Sequence, residues 1–158
     1  MTQVFIGAGS NLGNREANLR DALKSLSGLP GIKIIKESPV YETDPVGGPV
    51  QGKYLNAVWE MESELSVKEL LKELLSLEAQ MGRKRSVPNA PRTLDLDILF
   101  YGTQRISDGG LEIPHPRLHE RWFVLKPMAD IAPGFIHPVL KKSIQTLLEE
   151  NFARNPKS

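Results

Sequence analysis

Asp95 and Asp97 stand two residues apart in the run Arg92-Thr93-Leu94-Asp95-Leu96-Asp97. In an extended strand, residues two apart point to one face, roughly 6.6 Å apart along the chain. Two carboxylates side by side repel, and against a packed sheet they are costly unless a cation neutralises them. A hard divalent cation such as Mg²⁺ suits oxygen ligands and keeps coordination positions open for substrate phosphates. Two such ions could straddle the pair and clamp the attacking and leaving oxygens of a displacement. Taken alone, an Asp-x-Asp also describes an ordinary solvated strand face. The surroundings change that balance. Arg83 and Arg85 precede the run, Arg92 opens it, and His115, Arg117, His119 and Arg121 follow within one short segment, with Lys84 the single lysine of the group. A guanidinium presents a planar fork suited to phosphate oxygens. A carboxylate strand ringed by arginines therefore points to a nucleoside triphosphate. Glu78 falls just before the Arg83 loop, at the edge of an apolar helix stripe. It is either a solvent-directed carboxylate or a partner for a ribose or an organising arginine.

Tyr41, Thr43, Pro45, Tyr54, Asn56 and Phe123 form a second group. They combine flat apolar surface with directional hydrogen bonding, which would suit a planar heterocycle stacked on a ring. Core aromatics and a turn asparagine describe the same residues equally well. Two glycine patterns fail as phosphate loops. Gly7, Gly9 and Gly13 resemble a dinucleotide loop, but the third glycine is one residue late and no acidic residue closes a second parallel strand. Gly47 to Lys53 has phosphate-loop spacing up to the lysine, yet Tyr54 stands where a hydroxyl should follow and a strand comes next instead of a helix.

The elements that must hold these residues are legible in outline. Val4 to Ala8 reads as a buried strand, followed by a helix that Ser10 or Asn11 can cap. That helix carries Ala17, Leu19, Leu23 and Leu26 and stops at Gly28 and Pro30. Ile32 to Tyr41 and Tyr54 to Met61 read as strands, separated by a Pro- and Gly-rich loop from Asp44 to Lys53. Ser66 and Glu69 form a capping box for a helix to Met81, whose stripe is Val67, Leu70, Leu71, Leu74 and Leu77, and Gly82 stops it. Arg83 to Pro91 is polar and turn-rich. Thr93 to Tyr101 is a strand with Leu94, Leu96, Ile98 and Phe100 expected on the face away from the aspartates. A hairpin over Gln104 to Ile113, a turn or short helix over His115 to Arg121, an apolar segment over Phe123 to Met128 and a helix over Ser143 to Phe152 complete the chain. The order strand, helix, strand, strand, helix, strand predicts a ferredoxin-like α+β fold, one mainly antiparallel sheet with helices on one face.

Composition narrows the classes. The chain has 158 residues, enough for one domain with its own core, and no cysteine, which excludes disulfides and thiolate metal sites. Lys and Arg number 20 against 19 Asp and Glu, which argues against a general nucleic-acid binder. The N-terminus lacks a signal-peptide pattern and no apolar run spans a membrane, so a cytoplasmic protein without nucleic-acid, membrane or obligate protein partners is expected.

Several segments, in order, resemble the 6-hydroxymethyl-7,8-dihydropterin pyrophosphokinase family of folate biosynthesis. They are Gly9-Ser10-Asn11-Leu12-Gly13, Tyr41-Glu42-Thr43 with Pro45, Tyr54-Leu55-Asn56, Gly82-Arg83-x-Arg85, Ala90-Pro91-Arg92-Thr93-Leu94-Asp95-Leu96-Asp97-Ile98-Leu99, and Ile113-Pro114-His115-Pro116-Arg117. The resemblance runs from about Phe5 to Met128 and implies one ferredoxin-like pterin pyrophosphokinase domain over residues 1–158, with a C-terminal extension. It implies transfer of the β,γ-pyrophosphoryl unit of ATP to the pterin hydroxymethyl oxygen, giving AMP. Asp95 and Asp97 would hold two Mg²⁺ ions arriving with ATP. Arg83 and Arg92 would join them in catalysis, and Glu78, Arg83, Arg85, Arg92, Ile98, His115 and Arg121 would meet the nucleotide. Thr43, Pro45, Val46, Tyr54, Asn56 and Phe123 would line the pterin pocket. Against the family pattern, Pro88-Asn89-Ala90 replaces an Arg-Trp-Gly, Leu75 a Gln, Gly110 and Glu112 an Arg and a Thr, and Asp44 a Pro. A palm-type nucleotidyl transferase or cyclase, which would release pyrophosphate, suits the same fold and carboxylates. A small RNA-binding module is the non-enzymatic alternative, opposed by the neutral charge balance and the missing aromatic strand motif.

Overall fold

The computed structural model describes residues 1–44, 52–82 and 93–155. The elements run β1 (Thr2–Ser10), α1 (Arg15–Ser27), β2 (Ile32–Glu37), β3 (Tyr41–Thr43), β4 (Tyr54–Ser63), α2 (Val67–Gln80), β5 (Asp95–Tyr101), β6 (Ile106–Asp108), β7 (Leu111–Ile113), α3 (Trp122–Ile131) and α4 (Ile144–Arg154). The main sheet has the order β2-β4-β1-β5, and β3 pairs with the other end of β4. All of its pairings are antiparallel. This is the ferredoxin-like arrangement expected from the order of elements, with the hairpin β6–β7 set apart as a small second sheet.

Helices cover both faces of the sheet, where the sequence led us to expect one. The reason is that the strands are apolar on both sides. Val4, Ile6, Leu55, Met61, Leu96 and Ile98 pack with Leu19, Ala22 and Leu26 of α1 and Leu70, Leu74 and Leu77 of α2. Phe5, Val58, Leu99 and Phe100 face the other way and pack with Leu125 and Met128 of α3 and Ile144, Leu147 and Leu148 of α4. Phe100 was expected beside Leu94, Leu96 and Ile98. It lies instead in the second cluster, because a bulge shifts the register: Ile6 pairs with Ile98 but Phe5 with Phe100, leaving Leu99 as the extra residue.

Capping follows local chemistry. Ser66 Oγ accepts from Glu69 N at 3.2 Å while Glu69 Oε1 accepts from Ser66 N at 2.9 Å, the expected capping box of α2. Neither Ser10 nor Asn11 caps α1. Ser10 is still in β1, so the cap falls to Asn14, whose Oδ1 accepts from Ala17 N at 3.1 Å. The expected single strand over Ile32 to Tyr41 is broken at Pro39, which cannot donate to a ladder. Ser38 bridges the break, its Oγ accepting from Val58 N at 2.8 Å. Among the described residues no helix is long and apolar enough to cross a membrane.

Beyond α3, His137 is buried edge-on to Phe100, and its Nδ1 accepts from Val139 N at 3.1 Å and Leu140 N at 3.0 Å. Burial first, and then the charge of His119, lowers its pKa to about 4. The unfolded chain, with an ordinary histidine near 6.5, takes up this proton first as the pH falls. The stability His137 contributes is whole above about pH 6.5 and is lost as the pH drops towards about 4, with a slope of up to about 1.4 kcal/mol per pH unit for one proton. Urea unfolding at several pH values in this window will show the slope, and His137→Asn, which offers a non-titrating acceptor in place of Nδ1, will flatten it.

Candidate active site

The register of three strands assembles one surface. Gly9 of β1 lies opposite Asn56 of β4 on one side and Asp95 of β5 on the other, and Gly7 lies between Val58 and Asp97. Thr43 of β3 lies opposite Tyr54, two residues before Asn56. Directly paired residues and residues two apart share a face. Thr43, Tyr54, Asn56, Gly9, Gly7, Asp95 and Asp97 therefore belong to the same side of the sheet. It is the side that α3 and α4 cover at the Phe5 and Phe100 end. Tyr54, Asn56, Asp95 and Asp97 are partly exposed, while Leu96 and Ile98 between and beyond the aspartates are buried on the opposite side.

The glycines matter because they form the floor. A Cβ on Gly9 would sit 3.3 Å from Asn56 Oδ1 and 3.4 Å from Tyr54 Cδ1, and one on Gly7 would sit 3.3 Å from Leu99 Cδ2. Without those side chains the surface stays open from Asn56 across to Asp95. Sequence reasoning considered Gly7 and Gly9 as part of a dinucleotide loop that fails, and Gly9 also as part of the family resemblance. Their signal was of another kind: two glycines at strand spacing inside a buried run, a mark of close approach in a sheet.

At one end of this floor, Asn56 Nδ2 donates to Thr43 Oγ1 at 2.6 Å. Among the described residues nothing donates to Asn56 Oδ1, so the amide offers an oriented acceptor. α3 packs against β4 and β3, and its first turn carries Phe123, with the Arg121 guanidinium 5.9 Å from the ring centroid. Tyr41, grouped with these residues in the sequence, has a structural task. Its hydroxyl is bonded to Asp130 and its ring meets Trp122 edge-on at 6.4 Å, tying β3 to α3. Arg15 fixes the chain at both ends of the 45–51 segment, with Nη1 donating to Lys53 O at 2.8 Å and Nη2 to Glu42 Oε2 at 2.7 Å. Nothing in the sequence singled out Arg15.

At the other end, His115 follows the hairpin and its backbone N donates to Leu99 O at 3.0 Å, which holds it against β5. Burial lowers the His115 pKa, the Arg121 guanidinium lowers it further, and the Asp95 carboxylate opposes both. His115, Arg121 and Asp95 thus share one electrostatic environment, whose net effect favours the neutral imidazole. Arg117 turns away, with Nε donating to Glu120 Oε2 at 3.0 Å.

Two expected nucleotide residues are placed otherwise. Ile98 is 5% exposed in the core under α1 and α2, because its position in β5 alternates with that of the aspartates. Its side chain cannot border their surface. Glu78 neither reaches solvent nor lies on that surface. It is 2% exposed, and its Oε2 accepts from the Leu96 backbone N at 2.7 Å. Of the family departures, Leu75 is exposed on α2, Gly110 has φ +87° in the β6–β7 turn, and Glu112 is exposed on β7. Arg83, Arg85, Arg92, Pro45 and Val46, and the Pro88-Asn89-Ala90 departure, lie outside the described residues.

Asp95 and Asp97 fit a hard cation that brings most of its own ligands. Among the described residues no group of three or more His, Cys, Asp or Glu could hold a metal ion. Two carboxylates on one open face match Mg²⁺ completed by water and phosphate oxygens better than a closed structural site.

The chain matches the family model for 7,8-dihydro-6-hydroxymethylpterin-pyrophosphokinase (HPPK) over residues 5–133. It is 40% identical over 136 residues to the 2-amino-4-hydroxy-6-hydroxymethyldihydropteridine pyrophosphokinase of Methylorubrum extorquens, covering 86% of each chain. It is 43% identical over 147 residues to the folic acid synthesis protein fol1 of Pneumocystis carinii. That match takes in 93% of this chain but only 20% of the relative, so the chain spans about a fifth of that larger protein. Among solved structures, Plasmodium falciparum HPPK-DHPS with pteroate superposes with a TM-score of 0.77 at 15% identity, over 97% of this chain and 43% of that one, a likeness of fold. On these matches the chain belongs to the HPPK family and is an enzyme, a diphosphotransferase that uses ATP.

Proposed function

We propose that residues 1–158 act as one domain that transfers the β,γ-pyrophosphoryl unit of ATP to the hydroxymethyl group of 6-hydroxymethyl-7,8-dihydropterin, releasing AMP, in folate biosynthesis. The family match supports the reaction class, and the observation that carries the assignment to residues is the glycine-floored surface. Gly9 stands opposite both Asn56 and Asp95, so an acceptor held at Asn56 and a nucleotide held at Asp95 are two strand spacings apart, roughly 10 Å. That distance suits an acceptor hydroxymethyl group reaching a phosphate chain laid along β5.

The roles follow from chemistry. The Asn56 amide, oriented by Thr43, reads the hydrogen-bonding edge of the pterin, and Tyr54 and Phe123 offer aromatic surface to its plane. Asp95 and Asp97 would hold the two Mg²⁺ ions expected to arrive with ATP, which would supply positive charge to the phosphate oxygens there. His115 donates a hydrogen bond to a phosphate oxygen, and Arg121 adds positive charge beside it. Arg83, Arg85 and Arg92 complete the phosphate grip in this reading, with Pro45 and Val46 at the acceptor pocket. The pterin oxygen displaces AMP at the β-phosphorus without a covalent enzyme intermediate, so positioning and electrostatics carry the rate.

Incubation with ATP, Mg²⁺ and the hydroxymethyl dihydropterin, followed by chromatography of the nucleotides, tests this reading. AMP formed in equal amount to a pterin diphosphate is the expected result. ADP would mean transfer of a single phosphoryl group, and free pyrophosphate would mean nucleotidyl transfer; either defeats the proposal.

A further inference from the structure

Glu78 is buried, and one of its hydrogen bonds reaches a point midway along the aspartate strand. Its Oε2 accepts the Leu96 backbone N–H at 2.7 Å, and Leu96 is the residue between Asp95 and Asp97. Among the described residues β5 is an edge strand, so along its outer side the N–H groups have no neighbouring described strand to meet. Leu96 lies opposite Ala8 of β1, yet its N–H is directed to α2, away from that strand. The peptide plane that carries this N–H joins Asp95 to Leu96. Its tilt sets ψ of Asp95 and φ of Leu96, and with them the aim and separation of the two carboxylates that flank it.

A polar atom buried this deeply is kept only where its hydrogen bond is made. α2 supports the anchor in turn, since Leu74 and Leu77 are packed into the core on the same helix face as Glu78. On the other side of β5 the aspartates lie opposite Gly7 and Gly9, which carry no side chain to restrain them.

We infer that Glu78 is a positioning residue for the two cation-holding carboxylates, acting through the Leu96 peptide without touching substrate. This rests on the reading of Asp95 and Asp97 as the metal pair. It replaces the direct nucleotide contact that the family resemblance implies for Glu78.

The test uses Glu78→Met, which keeps length and packing but accepts no hydrogen bond, and Glu78→Gln, which keeps an acceptor. Mn²⁺ binding is followed by electron paramagnetic resonance with a non-hydrolysable ATP analogue, beside analogue binding without metal and exchange of the Leu96 amide by NMR. The expected result for Glu78→Met is Mn²⁺ affinity about tenfold weaker, a Leu96 amide that exchanges faster, unchanged metal-free analogue binding, and turnover restored by excess Mg²⁺. Glu78→Gln should stay within about threefold of the parent in Mn²⁺ affinity, because its amide oxygen still accepts. Should Glu78→Met not fold, Glu78→Asp takes its place, one methylene short of Leu96. Loss of metal-free analogue binding in both variants would make Glu78 a nucleotide ligand and overturn the inference. A lowered melting temperature with unchanged Mn²⁺ affinity would reduce it to a structural residue. Asp97→Ala separates the two levels: lost Mn²⁺ binding there with intact binding in Glu78→Met sinks the positioning role alone, and intact Mn²⁺ binding in Asp97→Ala sinks both.

Discussion

Asp97→Ala is expected to lower kcat by about three orders of magnitude or more, because it removes one of the two carboxylates proposed to hold the catalytic cations. The melting temperature should stay within a few degrees of the parent. Asp97 is partly exposed and lies opposite Gly7, while the core side of β5 is filled by its neighbours Leu96 and Ile98. Truncation at this position opens no cavity, and surface-facing changes of that kind usually shift stability by about 0.5 kcal/mol or less. AMP formation at saturating Mg²⁺ and a thermal melt on the same preparation measure both quantities. Turnover close to the parent would remove Asp97 from the metal pair. A collapse of the melt together with activity would mean that the carboxylate supports the strand.

Asn56→Leu should cut kcat/KM for the pterin by about a hundredfold or more and leave the KM for ATP nearly unchanged. A site built to hydrogen-bond its substrate discriminates strongly when that group is lost. Leucine keeps the branching at Cγ and the heavy-atom count of asparagine but removes both its donor and its acceptor. It also strands the Thr43 hydroxyl, which is 7% exposed and receives the Asn56 amide at 2.6 Å. Leaving that oxygen unpaired costs about 1–3 kcal/mol of stability, so the melt should fall as well. Steady-state kinetics with each substrate varied in turn separates the possibilities. Equal losses for ATP and pterin would argue that Asn56 shapes the whole surface and does not read one ligand.

Much of the architecture was legible because local signals agreed with one another. The α2 stripe, its capping box and the Gly82 stop all point to one helix, and the structure places it there. The paired aspartates stood out because strand spacing alone sets their common face. Other features are decided by tertiary partners that a sequence does not name. Pro39 breaks a strand that its apolar pattern would continue, since ladder hydrogen bonding outweighs hydropathy. Glu78 has the spacing of a helix-edge residue, but the outward N–H of Leu96 draws its carboxylate inward. Phe123 is placed by the docking of α3 on β4, which depends on a second apolar face of the sheet that period-two reading of each strand alone did not bring out.

The bulge at Leu99 has a consequence for how this strand can change over time. Upstream of it, odd positions from Asp95 face the substrate surface; downstream, the even-numbered Phe100 takes that side and packs with Phe5. The strand is thus two segments of opposite parity, one chemical and one for packing, joined at a single residue. Gaining or losing one residue within Asp95 to Ile98 would swing a carboxylate into the apolar layer beneath α1 and α2. Losing Leu99 would restore plain alternation and keep both the carboxylates and Phe100 on their present sides, at the expense of the atoms Leu99 packs. Among related sequences, single-residue length variation in this strand should therefore be confined to that one position.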